Sequence, residues 1–122
     1  MAESRFDKGV ALTRRLFGRA AGGAPLPEGL RTYTMEHLFG DVWQRPGLGV
    51  EERSLITCAV LIALGREPEQ RLHFRGARNV GHSRERLEEL ITHIAHYAGW
   101  PVAASASRVL DEVWTAMDAE TD

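Results

Sequence analysis

The sequence predicts an all-α protein of about six helices. Apolar residues recur at helical spacing along almost the whole chain. No segment alternates apolar and polar residues between turn signals, so little or no sheet is expected. The 122 residues, 43% hydrophobic and 26% charged, make one ordinary globular domain over 1–122, large enough to hold a core.

The first helix is expected over about 5–19, with Phe6, Val10, Leu16 and Phe17 apolar. Residues 20–25, rich in Ala and Gly, read as a linker, with Pro27 and Gly29 beyond. The second helix spans about 30–44, with Met35, Leu38, Phe39, Val42 and Trp43 on one face and Pro46-Gly47 as its stop. The third spans about 50–64 and is almost continuously apolar from Leu55 to Leu64. A helix apolar all round is buried all round. So short a chain can barely wrap it, and a second copy of the protein is the expected cover. Gly65 is its expected stop.

The fourth helix spans about 68–80, with Pro68 in the first turn and Gly81 as the stop. The fifth spans about 84–98, capped by Ser83, with Leu87, Leu90, Ile91, Ile94, Ala95 and Ala98 in one stripe. Gly99-Trp100-Pro101 breaks the chain. The sixth spans about 101–118, and the last few residues are expected to fray.

Charge and cysteine content exclude several functions. The net charge of −2 gives no electrostatic reason to bind nucleic acid or an anionic membrane. The single cysteine, Cys58, excludes an intrachain disulfide and any Cys-x-x-Cys redox or zinc site. It sits in the apolar third helix and reads as inert core. The first eight residues hold no apolar signal region, and no run of 18 apolar residues follows. A cytoplasmic protein with no membrane span is expected.

The fourth helix carries the clearest chemistry. At 100° per residue, Glu69, Leu72, His73, Gly76, Ala77 and Val80 share one side, and Arg71, Arg75 and Arg78 the other. A carboxylate and an imidazole thus stand at i, i+4 within an apolar stripe. Their pairing suits a histidine tuned for proton transfer, and it suits equally a structural ion pair beneath a tight helix crossing. Gly76 and Ala77 leave room for a ligand or for a neighbouring helix.

His93 and His96 lie off the stripe of the fifth helix, with Tyr97 at its edge; a solvated face and a covered cleft are both open. Their i, i+3 spacing, with no Glu between, argues against a metal site. Arg53 and Thr57, one turn apart, suit either a polar cavity, where Arg53 would bind a carboxylate, or plain surface. Trp43 belongs to the helix-stop segment Trp43-Gln44-Arg45-Pro46-Gly47.

The blocks Phe39-Gly-Asp-Val-Trp-Gln-Arg-Pro-Gly-Leu48, Arg53-Ser-Leu-Ile-Thr57, Ala63-Leu-Gly-Arg-Glu67, Glu69-Gln-Arg-Leu-His73-Phe-Arg-Gly-Ala-Arg-Asn-Val-Gly81 and His93-Ile-Ala-His-Tyr97-Ala-Gly-Trp-Pro101 occur in order. Together they resemble the carboxymuconolactone decarboxylase family, in its dedicated decarboxylase branch, over about residues 8–115. The resemblance implies the alkylhydroperoxidase D-like helical fold, assembled as a homotrimer or homohexamer. The peroxidase branch carries Cys-x-x-Cys-x-x-x-His. Here Arg66 and Glu69 stand at the cysteine positions, Ser54 at a relay carboxylate, and only His73 survives, so thiol peroxidase chemistry is excluded.

The resemblance further implies decarboxylation of a carboxylated lactone, 4-carboxymuconolactone to 3-oxoadipate enol-lactone, in aromatic-acid catabolism. That step needs no cofactor, because the electrons left by CO2 spread onto the lactone carbonyl. On this reading His73 transfers the proton and Glu69 orients it. Arg53 anchors a carboxylate, and His93, Tyr97 and Trp43 complete the substrate-binding set, with His93 and Tyr97 from a neighbouring subunit as one arrangement. Two residues depart from the branch: Phe39 where tryptophan is usual and Thr13 where an arginine is common. If either touches the ligand, the substrate differs. A tailoring enzyme or isomerase for another lactone or keto acid, and a non-enzymatic oligomeric binding protein, are the alternatives.

Overall fold

Ser4 opens the first helix, its side chain accepting a hydrogen bond from the Asp7 N–H and satisfying a donor that a helix start leaves unpaired. In the computed structural model of the protein, which describes residues 3–18 and 25–120, α1 runs Arg5–Phe17. It stops at Gly18, whose φ of 57° is left-handed. The helix is shorter than the expected 5–19, and residues 19–24, most of the expected linker, lie outside the described residues.

The second predicted helix, over 30–44, is corrected. α2 is a short α-helix, Glu28–Tyr33; the chain then widens into a π-helix, Thr34–Phe39, and ends in a 3-10 turn, Val42–Gln44. Two glycines seat the widened turn. A Cβ at Gly9 would overlap the Met35 carbonyl, and one at Gly40 would overlap the carbonyls of Arg5 and Met35. Backbone therefore rests on backbone between α1 and the π-helix. The five apolar residues do not share one buried face: Phe39 and Trp43 are buried, Met35 is half-buried and Leu38 is exposed.

The remaining helices follow their signals closely. α3 runs Val50–Ala63 and α4 Glu67–Asn79. After α3, Gly65 takes φ 68°, its N–H donates to Ile62 O, and the Arg66 N–H donates to Leu61 O. Gly81 and His82 repeat that stop after α4, donating to Arg78 O and Ala77 O. α5 runs Arg84–Ala98 with Ser83 accepting from the Arg86 N–H at 3.1 Å. α6 runs Trp100–Glu120, longer at both ends than expected; the last turns expected to fray are helical as far as Glu120. The described residues form six α-helices and no strands.

The core has two parts that share α4. Cys58 and Ile62 of α3, Phe74 and Ala77 of α4, and the apolar stripes of α5 and α6 form the larger. Leu12, Leu16 and Phe17 of α1 meet Phe39 and Trp43 in the smaller, with Leu72 of α4 against them. α3 is not buried all round within one chain: Ser54, Cys58 and Ile62 are buried, while Ile56, Val60 and Leu64 are exposed. No helix among the described residues is long and apolar enough to cross a membrane.

Candidate active site

α4 is covered by α3 on one side only. Beyond it α4 packs against α1, on which the π-helix is seated, at one edge and against α6 at the other. Between those edges lies a cavity of about 810 Å³, within the roughly 300–1,000 Å³ of small-molecule sites. Its wall is largely apolar: Phe17 of α1, Met35, Leu38 and Phe39 of the π-helix, Leu72 of α4, and Val113 and Ala116 of α6. Its polar side chains are Thr13, Thr34, Glu69, Arg71, His73, Arg75 and Glu112. The wider π-turn brings four of its six residues, Thr34, Met35, Leu38 and Phe39, to the cavity.

His73 is half-buried, with the Phe17 ring edge-on to its imidazole at 5.1 Å. The Cys58 thiol donates to the His73 backbone carbonyl at 3.5 Å and ties this turn to α3. Burial pushes the imidazole down to about 4, and the Glu69 carboxylate acts in the opposite direction without offsetting it. His73 is therefore neutral near pH 7. Burial pushes the Cys58 thiol up to about 12, so it is an inert core group, as its position in the apolar helix suggests.

Glu69 does not hydrogen-bond His73; its Oε1 accepts from Arg66 at 2.6 Å. That bond holds the carboxyl below its usual range, so Glu69 is ionised. The side chain is 41% exposed, yet Oε2 itself is shielded from solvent and unpartnered. A shielded carboxylate oxygen without a donor is a group that a ligand's hydroxyl or a reoriented imidazole would satisfy.

The structure brings together only part of the expected site. His73 and Glu69 line the cavity, and Trp43 stands one layer behind it, its ring 5.4 Å from Phe39. Arg53 lies elsewhere, donating through Nε and Nη2 to the carbonyls of Leu48 and Arg45, both at 3.3 Å. Thr57 is likewise spent locally, donating to Arg53 O. His93 and Tyr97 lie over a separate apolar depression of about 420 Å³ between α3 and α5, where Tyr97 is 83% exposed. Their rings are 5.1 Å apart. His96, also exposed, is held to Thr92 O at 2.8 Å. Gly76 serves the helix crossing, since a Cβ there would meet the Phe17 ring at 3.1 Å.

Most of the lining residues were outside the expected set. Arg71 and Arg75, assigned above to the far side of the fourth helix, reach the cavity along its α6 edge. Arg71 pairs with Glu112 at 2.6 Å, and Arg75 holds Glu120 through two bonds of 2.7 and 2.9 Å. Thr13 and Phe39, the two departures from the branch pattern, also line the cavity. Thr13 is 4% exposed and donates to Val10 O at 3.0 Å.

The model of the carboxymuconolactone decarboxylase family matches residues 28–112. A 4-carboxymuconolactone decarboxylase from Acinetobacter baylyi is 36% identical over 118 residues, covering 92% of this chain and 88% of that protein. A nitrosuccinic acid decarboxylase from Metarhizium robertsii is 32% identical over 107 residues, covering 83% and 75%.

Proposed function

Because the chain belongs to the carboxymuconolactone decarboxylase family and is a decarboxylase, we propose that it removes CO2 from a carboxylated lactone of the 4-carboxymuconolactone type. The observation that supports this most is the company of His73. One apolar-walled cavity holds a neutral imidazole, an ionised carboxylate beside it and two arginines.

When the C–C bond breaks, CO2 leaves and the electron pair moves through the ring double bond onto the lactone carbonyl oxygen. A proton delivered to carbon then restores the lactone. The substrate is its own electron sink, so the chemistry asks no cofactor of the protein. The site has to stabilise the oxyanion and supply the proton. Before substrate binds, His73 carries no charge. A bound anion a few ångströms away favours the imidazolium, so the ring takes up a solvent proton on binding. It gives that proton to carbon and returns to the neutral form its burial prefers. Glu69 adds negative charge on the same side and raises the proton affinity further, in the direction found in the structure.

The exposed apolar residues Ile56 and Val60 of α3 and Leu64 at its C-cap, with Tyr97 of α5, support a homo-oligomer, the trimer or hexamer that the resemblance implies. In such an assembly His93 and Tyr97 lie at a boundary between copies. A single-chain mass by light scattering would oppose it. A cytoplasmic enzyme of aromatic-acid catabolism is the setting that fits this chemistry.

A second reading is favoured by one observation: Thr13 and Phe39 both line the cavity. A different carboxylic acid with its own electron-accepting group then replaces the lactone, and one relative is a decarboxylase of nitrosuccinic acid. Supplying purified protein with 4-carboxymuconolactone, and in parallel with nitrosuccinate, distinguishes the two. CO2 release from the lactone with loss of its absorbance is the expected result. Release from nitrosuccinate alone would replace the first reading with the second.

A further inference from the structure

We propose that Arg71 and Arg75 bind the carboxylate that the substrate keeps, and so set which of its acid groups is lost. This rests on the decarboxylase reading above and adds the orientation of the substrate to it. A dicarboxylated substrate that loses one CO2 leaves a product with one carboxylate, so the two acid groups need different surroundings. A guanidinium gripping the departing group through two hydrogen bonds would stabilise the ground state more than one imidazolium that gives up its proton there, and would raise the barrier. An arginine against the retained group binds without opposing the chemistry.

The cavity has that asymmetry. Arg71 and Glu69, and likewise Arg75 and His73, are two residues apart on α4 and so diverge by about 200° around its axis. Leu72 lies between the two rims. The α1 side carries His73 with the Phe17 ring against it, and the α6 side carries the guanidinium groups. A retained carboxylate at the arginines places the departing one toward the apolar wall beside His73.

The present partners of the arginines show that each guanidinium accepts a carboxylate. Arg75 grips Glu120 in the two-pronged manner that suits a carboxylate, and Arg71 holds Glu112. Glu112 also lines the cavity and is about half exposed, so its pair is a rim contact of small worth that a substrate can replace. Glu112 is then a competitor for the substrate's own acid group. Its removal and that of an arginine act on binding in opposite directions.

The experiment measures KM and kcat for 4-carboxymuconolactone in Arg71→Gln, Arg75→Gln and Glu112→Gln. It also measures the Kd of a saturated dicarboxylated lactone, which lacks the double bond and does not lose CO2. Each arginine variant is expected to raise KM and Kd roughly 10- to 100-fold, with kcat within a few-fold. Glu112→Gln is expected to lower both about 2- to 5-fold. Arginine variants with unchanged Kd, or a Glu112→Gln protein that binds as weakly as the arginine variants, would overturn the proposal. If the wild-type protein releases no CO2 from the lactone, the reaction assignment falls, while the saturated probe still tests the anchors.

Discussion

His73→Ala is expected to lower kcat by roughly 10²- to 10⁴-fold, the range removed when a positioned proton donor is lost. KM is expected to stay within a few-fold, because the substrate is held mainly by the arginine rim on the other side of Leu72. The fold is expected to survive. The ring contributes an edge contact to Phe17, whereas the anchoring of this turn to α3 runs through the His73 carbonyl and Cys58, which the substitution leaves in place. Circular dichroism and steady-state CO2 release on the same preparation separate the two effects. A folded variant keeping more than about a tenth of the wild-type kcat would exclude His73 as the donor.

The second large effect is on stability. Burial holds His73 at about 4 in the folded protein, against about 6.5 in an unfolded chain. Between those values the unfolded chain binds the extra proton, so acidification favours unfolding. The stability tied to neutral His73 is fully present above pH 6.5 and is lost as pH falls through about 4. The difference in proton affinity is worth on the order of 3 kcal/mol. Glu69 and Asp41, both held low by arginines, also lose stabilising pairs in acid. Urea melts of wild type and His73→Asn at pH 7.0 and 4.5 isolate the histidine. Wild type is expected to lose more over that interval, by on the order of 2–3 kcal/mol. Parallel losses in the two proteins would mean that His73 is not buried as described.

Most of the fold was legible because its boundaries are local. Ser83 caps α5 and Gly65 and Gly81 stop α3 and α4 through their own side chain or positive φ, all of which follow from residue type and position. The π-helix was not legible. Its residues Thr34–Phe39 carry ordinary helical periodicity, and what marks the segment is the contact of Gly9 and Gly40 with backbone distant in the chain. The site was legible to the same degree. Glu69 and His73 stood out as polar groups in an apolar stripe, and both line the cavity. Arg71 and Arg75 were set aside because a helical projection gives the angle of a residue but not what packs along each arc. α6 borders α4 on their side and supplies the carboxylates that draw them to the rim. Arg53 lies away from that cavity for the converse reason: the backbone around Pro46–Gly47 presents two carbonyls that take its donors.

On the proposed mechanism the substrate meets the protein at His73, between α1 and α6. Ring signals of the five histidines, followed by NMR as the saturated dicarboxylated lactone is added, test it most directly. The His73 signals are expected to move and its titration midpoint to rise from about 4, while the signals of His93 and His96 stay in place. Movement at His93 and His96 with His73 unchanged would put the ligand at the α3–α5 depression and contradict it.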